Sequence, residues 1–171
     1  CPENFPALKS YDYIAIDLET RDPNLKARGS GALMDEGEII GVAVAVEGWS
    51  GYYPIAHREG NLPKQKVLSW LQEICNLPST KLFHNAMYDM CWLKSYNIQV
   101  NGHIIDTMVM AALVDENRYS YSLNSLCYDY LGEVKDESLL TTAAEKAGAD
   151  PKAEMYKLPA MYVGNYAEKD A

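Results

Sequence analysis

Hydrophobic and polar positions change period along the chain, and the change divides it into elements. Tyr11 to Leu18 is rich in Tyr and Ile and follows the turn-like Lys9-Ser10, which predicts a β-strand. Glu38 to Val46 is a nearly unbroken apolar run, the pattern of a strand covered on both faces. A turn over Gly48 to Gly51 separates it from a third strand, Tyr52 to Ala56, which suits a hairpin partner. From Pro63 the period becomes helical: Val67, Leu68, Leu71, Ile74 and Cys75 mark one face, with proline in the first turn.

Short strands then alternate with helices. Lys81 to His84 reads as a strand, followed by a helix over Ala86 to Tyr96 in which Asn85 can serve as N-cap. His103 to Ile105 reads as another strand and feeds a helix from Asp106 through Leu113, with Asp106 as its cap. Beyond Asp115 the pattern is helical throughout. One helix over Ser122 to Tyr130 stops at Gly132, one over Glu137 to Ala147 stops at Gly148, and a last one starts near Pro159. Arg21 to Gly37 is polar and carries Gly29-Ser30-Gly31, a connection of the length usually found mobile or functional. Strands first, alternation next and helices last predict an α/β domain with a mixed sheet. With no repeat or low-complexity tract, 171 residues suit a single domain.

Composition narrows the function classes. No apolar run approaches the roughly 20 residues that a membrane span needs. The N-terminus lacks the basic-then-apolar pattern of a signal peptide, so a cytosolic setting is expected. Cys1, Cys75, Cys91 and Cys127 form no CxxC pair, and the last three sit among apolar residues, as small buried hydrophobes do. Net charge is −9, from 24 acids against 15 bases. That argues against a module gripping long nucleic acid by charge neutralisation, and it suits a site that gathers carboxylates around divalent cations.

Three acidic places carry the candidate chemistry. In a strand, residues i and i+2 share a face, so Asp17 and Glu19 pair their carboxylates at the end of the first strand. Asp89 falls in the first turn of a helix, where the dipole favours a carboxylate. Tyr166 and Asp170 stand at i and i+4 on one helical face, so that an acid and a phenol point the same way. Each alone is better explained by a solvated strand end, a helix cap or a surface acid; it is their combination that points to chemistry. Asp106 is read as structural, Glu168 as surface, and His57, His84 and His103 as core or surface residues.

The order Asp-x-Glu, Asn-x-x-Tyr-Asp, Tyr-x-x-x-Asp resembles the DEDD exonuclease superfamily in its tyrosine-bearing branch. The histidine branch carries its His five residues before the last acid, where Asn165 stands here. Over Tyr11 to Asp170 the chain is most similar to the proofreading 3′-5′ exonuclease domain of family A, DNA polymerase I-like, polymerases. Tyr53-Pro54-Ile55-Ala56-His57, Ile105-Asp106-Thr107-Met108 and Ser122-Leu123-Asn124-Ser125-Leu126 add to that likeness, and the Arg21 to Gly37 insertion resembles phage-type members.

The resemblance implies a ribonuclease H-like α/β fold, a mixed β-sheet of about five strands flanked by α-helices. It implies two Mg²⁺ ions, replaceable by Mn²⁺, held by Asp17, Glu19, Asp89 and Asp170. Asp17 bridges both ions in that scheme, Glu19 and Asp170 hold the one that activates water, and Asp89 holds the second. Tyr166 orients the water, and Thr20 and Asn85 bind the substrate. The expected partner is a single-stranded or frayed DNA 3′ end, cleaved to nucleoside 5′-monophosphates in a bacterial or phage-infected cytoplasm. With Asp170 next to Ala171, residues 1–171 are expected to be one exonuclease domain cut from a longer chain, with a polymerase domain after it. Two alternatives remain: a ribonuclease D-like enzyme trimming RNA 3′ ends, and an inactive exonuclease-like scaffold.

Overall fold

The computed structural model describes residues 4–171. Its centre is a five-stranded sheet in the order β3-β2-β1-β4-β5. β1 (Tyr13–Arg21) pairs antiparallel with β2 (Glu38–Val46), which pairs antiparallel with β3 (Trp49–Pro54). On the other side β1 runs parallel to β4 (Thr80–Phe83), and β4 parallel to β5 (Ile104–Asp106). The sheet is therefore mixed, as the element pattern predicts.

The helices are α1 (Leu25–Arg28), α2 (Lys64–Cys75), α3 (Ala86–Ser95), α4 (Thr107–Val114), α5 (Leu123–Leu131), α6 (Ser138–Ala147) and α7 (Ala160–Asp170). Four of them, α2, α3, α6 and α7, cover the sheet's two faces. On one face Ile14, Ile16 and Leu18 of β1 meet Val67, Leu71 and Ile74 of α2 and Trp92 and Leu93 of α3. On the other, Ile40, Ala43 and Tyr52 meet Leu140 and Ala144 of α6 and Val163 and Ala167 of α7. Burial on both faces explains why β2 reads as a continuous apolar run rather than an alternation.

The pairing of β1 with β2 slips between Glu19 and Thr20: Glu19 lies opposite Gly41, Thr20 opposite Ile39. Ile40 is the extra residue of a bulge, a device that re-aims side chains at the end of a strand. Gly41 then leaves a notch that the Tyr52 ring fills, since a Cβ there would stand 1.9 Å from the Tyr52 hydroxyl. α7 crosses the same ring at Gly164, whose own Cβ would lie 3.6 Å from it. Two small residues thus let α7 and β3 close over this face.

Arg21 to Gly37 is more ordered than the polar composition suggests. Arg21 completes β1, α1 forms a single turn, and Gly31–Leu33 is a 3₁₀ turn. Asp22 holds the segment by accepting the Gly31 amide at 3.1 Å, and Glu36 accepts from Asn24 at 2.8 Å and pairs with Arg28 at 2.6 Å. Lys81, inside β4, is fully buried, and its ammonium donates to the carbonyls of Leu77, Ser79 and Asn101. Cys75 is buried and free, while Cys91 and Cys127 are half-buried and free; Cys1 lies outside the described residues.

Candidate active site

Strand alternation splits β1 into two sets of side chains. Ile14, Ile16 and Leu18 enter the core under α2 and α3, so Asp17 and Glu19 face the side where α7 packs. α7 lies on β3, β2 and β1, and its last turn brings Asp170 to the β1 carboxylates. Carboxylate oxygens of Asp17, Glu19 and Asp170 all lie within 4.8 Å of one another.

Asp89 reaches the same end of β1 from the far side. Pairing of β1 with β4 ends at Ala15 opposite Leu82. Past that point the β1 edge facing β4 has open amides, and Asp89 accepts the Leu18 N–H at 3.1 Å. The buried Asp89 carboxylate is thus anchored to the residue between Asp17 and Glu19.

Asp106 fixes the helix that carries Asp89. It caps its own helix by accepting from the Met108 amide at 2.9 Å, and it accepts the amides of Asn85 at 3.0 Å and Ala86 at 2.8 Å. One carboxylate therefore satisfies the N-terminal amides of both α4 and α3. The expectation that Asn85 caps α3 with its side chain is corrected here. Asn85 sits at φ 67, in the left-handed region, and makes no side-chain cap. A carboxylate distant in sequence takes that role, which leaves the exposed Asn85 amide group turned outward.

Burial and mutual repulsion dominate the electrostatics. Asp17 is held well above the ordinary carboxylate range, first by burial and then by Asp170. Glu19 is raised by burial and by the charges of Asp17, Asp170 and Asp89. Asp89 is pushed up to about 8, by burial and then by Asp17, against the lowering effect of its bond from Leu18. The Tyr166 phenol is raised by burial, then by Glu19 and Asp170. Such a set of close oxygen donors, costly to keep charged, is the chemistry that hard divalent cations relieve. The donors fit Mg²⁺ or Mn²⁺.

Two residues around the cluster escaped the sequence reading. Lys135, between α5 and α6, pairs with Asp170, both side chains only 10% exposed, and lies 5.5 Å from the Tyr166 ring centre. Glu168, expected at the surface, accepts the Tyr52 amide of β3 at 3.0 Å and so ties α7 to the sheet edge. Helical spacing does turn Glu168 away from Asp170, but that direction leads to β3. Of the remaining candidates, Thr20 shares a hydrogen bond of 2.7 Å with the Tyr88 hydroxyl, which donates to Asp22 at 3.1 Å. His57 is buried against the Tyr52 hydroxyl at 2.6 Å, and His84 bonds Thr107 at 2.9 Å. A cleft of about 110 Å³, bounded by Ala15, Leu82, His84, Thr107, Leu123 and Asp170, opens beside the carboxylates.

Comparison with known proteins supplies the family. A family model described as 3′-5′ exonuclease matches residues 3–171. The DNA-directed DNA polymerase of Pseudomonas phage M6 is 37% identical over 171 residues, covering 96% of this chain and 26% of that protein. DNA polymerase DpoZ of Salmonella phage PMBT28 is 29% identical over 174 residues, covering 98% of this chain and again 26% of the relative. The chain thus spans about a quarter of the length of these relatives.

Among solved structures, Brucella melitensis NrnC with bound Mg²⁺ superposes with a TM-score of 0.60 at 19% identity, over 95% of this chain and 68% of that one. Escherichia coli RNase D, an exoribonuclease involved in structured RNA processing, superposes with a TM-score of 0.62 at 18% identity, over 95% of this chain and 36% of that one. These likenesses establish the ribonuclease H-like fold. The family match over residues 3–171 and the 37% identical phage relative place the chain in the 3′-5′ exonuclease domain family of family A DNA polymerases, among its phage-type members.

Proposed function

We propose that this domain removes nucleotides from the 3′ end of DNA by metal-dependent hydrolysis, as the proofreading part of a longer polymerase chain. The observation that carries the reading is the convergence of Asp17, Glu19 and Asp170 within 4.8 Å, with Asp89 anchored at the same strand end. Asp17, Glu19, Asp89 and Asp170 would hold the cations. When bound, such ions supply positive charge that favours ionised water and the departing oxygen of a phosphodiester.

The chain's own groups do the rest. A phenol ordinarily keeps its proton at neutral pH, so Tyr166 orients the attacking water by hydrogen bonding and does not serve as a general base. Asp89 keeps its position through the Leu18 amide and the Asp106-capped start of α3. The free side chain of Asn85 contacts the DNA end. The Thr20 hydroxyl is engaged by Tyr88, which leaves its place at the end of β1 rather than its hydroxyl to shape the substrate path.

RNA trimming is the second reading, because a ribonuclease shares the fold. The phage polymerase likeness of 37% against 18% for RNase D favours DNA. An inactive scaffold is disfavoured by the presence of all four acids and Tyr166. Matched DNA and RNA oligonucleotides, offered with Mg²⁺ to the full-length protein, separate the three. Faster release of 5′-monophosphates from DNA supports the proposal. Faster release from RNA replaces it with trimming, and no release from either indicates the scaffold.

A further inference from the structure

Three carboxylates this close repel one another, and one positive side chain stands among them. Lys135 pairs with Asp170, and its charge also acts on Asp17 and Glu19. It arrives from a stretch without helix or strand, residues 132–137, that begins at Gly132 with φ 69. Its ammonium packs over the Tyr166 ring. A lysine buried to this degree is retained only when paired, and here its partner is an acid of the cation cluster.

We propose that Lys135 is a built-in counter-cation: it holds Asp170 and the cluster together in the metal-free protein and is displaced from Asp170 when a divalent cation binds. This rests on the metal reading given above. An Asp170 carboxylate that ligates a cation shares its negative charge with that cation and so holds the Lys135 ammonium less strongly. Two positive charges so close also repel. The irregular 132–137 segment gives Lys135 room to swing outward, where its charge would face an incoming phosphate. Lys135 is thus a positioning residue that restrains metal binding and keeps the empty site folded.

The test follows Lys135 in the full-length wild-type protein. An amine-reactive acylating reagent is applied with chelator or with Mn²⁺, and modification of the Lys135 peptide is read by mass spectrometry. Asp17→Ala serves as the control that removes the site. The expected result is weak modification in chelator and roughly tenfold stronger modification with Mn²⁺, absent in Asp17→Ala, while Lys81 and Lys94 do not change. Modification of Lys135 that stays the same or falls with Mn²⁺ overturns the proposal.

A second measurement uses Lys135→Met, which keeps the length and removes the charge. Its Mn²⁺ affinity, read as the binding lost on adding Asp17→Ala, should be roughly tenfold tighter than wild type. Its melting temperature in chelator should be lower. Lys135→Arg should restore both values toward wild type. Equal or weaker Mn²⁺ binding by Lys135→Met overturns the counter-cation role while leaving the metal site standing. If wild type itself shows no Asp17-dependent Mn²⁺ binding, the metal reading falls and this proposal falls with it.

Discussion

The two faces of β1 solve opposite problems with adjacent residues. Ile14, Ile16 and Leu18 are 0%, 2% and 5% exposed and pack under α2 and α3 in a dry core. Asp17 and Glu19, between and beyond them, are half-buried beneath α7, beside its last-turn acid Asp170 and Lys135. One face gains free energy by excluding water, and the other spends it to hold charges together. The strand's period of two places a functional cluster about one residue away from the most stable packing in the molecule. The larger apolar face can therefore carry the strain of the acidic one.

That contrast predicts opposite behaviour for neighbouring substitutions. Asp17→Ala should lower nuclease turnover by ~10³-fold or more while the melting temperature in chelator stays level or rises, because a buried repulsive charge is gone. Thermal melts and oligonucleotide hydrolysis of the same preparation check both halves. Ile16→Ala should do the reverse, costing about 2–5 kcal/mol of stability with turnover per folded molecule changed by less than about threefold. Denaturant unfolding measures it. A catalytic loss as large as that of Asp17→Ala would erase the division between the faces.

A smaller effect sharpens the link between scaffold and site. Asp106→Ala removes caps from two helices and should cost about 2–3 kcal/mol. It should also weaken turnover, because α3 carries Asp89. Asp106→Asn, which still accepts hydrogen bonds, should recover most of both. Tyr166→Phe should reduce turnover by roughly tenfold with an unchanged fold, since the phenol orients water that cations still activate. An unchanged rate would remove the hydroxyl from the mechanism.

A separate effect concerns pH in metal-free protein. Asp17 and Glu19 are raised, and Asp89 stands at about 8 against an ordinary value of 3.8. The folded protein therefore binds more protons than the unfolded chain between those values, and stability contributed by these acids falls as pH rises through that window. Melting temperature in chelator should be lower at pH 8 than at pH 5.5. Asp89→Asn should shrink the difference, and saturating Mg²⁺ should reverse it.

Legibility in the sequence followed the range of the forces involved. β2 was readable to the residue because its apolar run has sharp polar borders, and α2 because proline and a clean stripe mark it. The acids Asp17, Glu19, Asp89 and Asp170 were candidates because strand and helix periods set their directions locally. Lys135 and Glu168 were missed because nothing near them in the chain announces their partners, Asp170 and the Tyr52 amide, which come together only when α7 folds across the sheet. The same holds for the dual cap of Asp106, which spans 20 residues to Ala86. Arg21 to Gly37 looked like a bare loop because its order comes from Asp22 and Glu36 side chains rather than from any period.

The most direct test of the central claim is hydrolysis of a 3′-labelled single-stranded DNA oligonucleotide by the full-length protein, with Mg²⁺ or with chelator, for wild type and Asp17→Ala. The account predicts release of the labelled terminal nucleotide only with metal and only with Asp17 present. Release that persists in chelator, or that Asp17→Ala leaves intact, would contradict it.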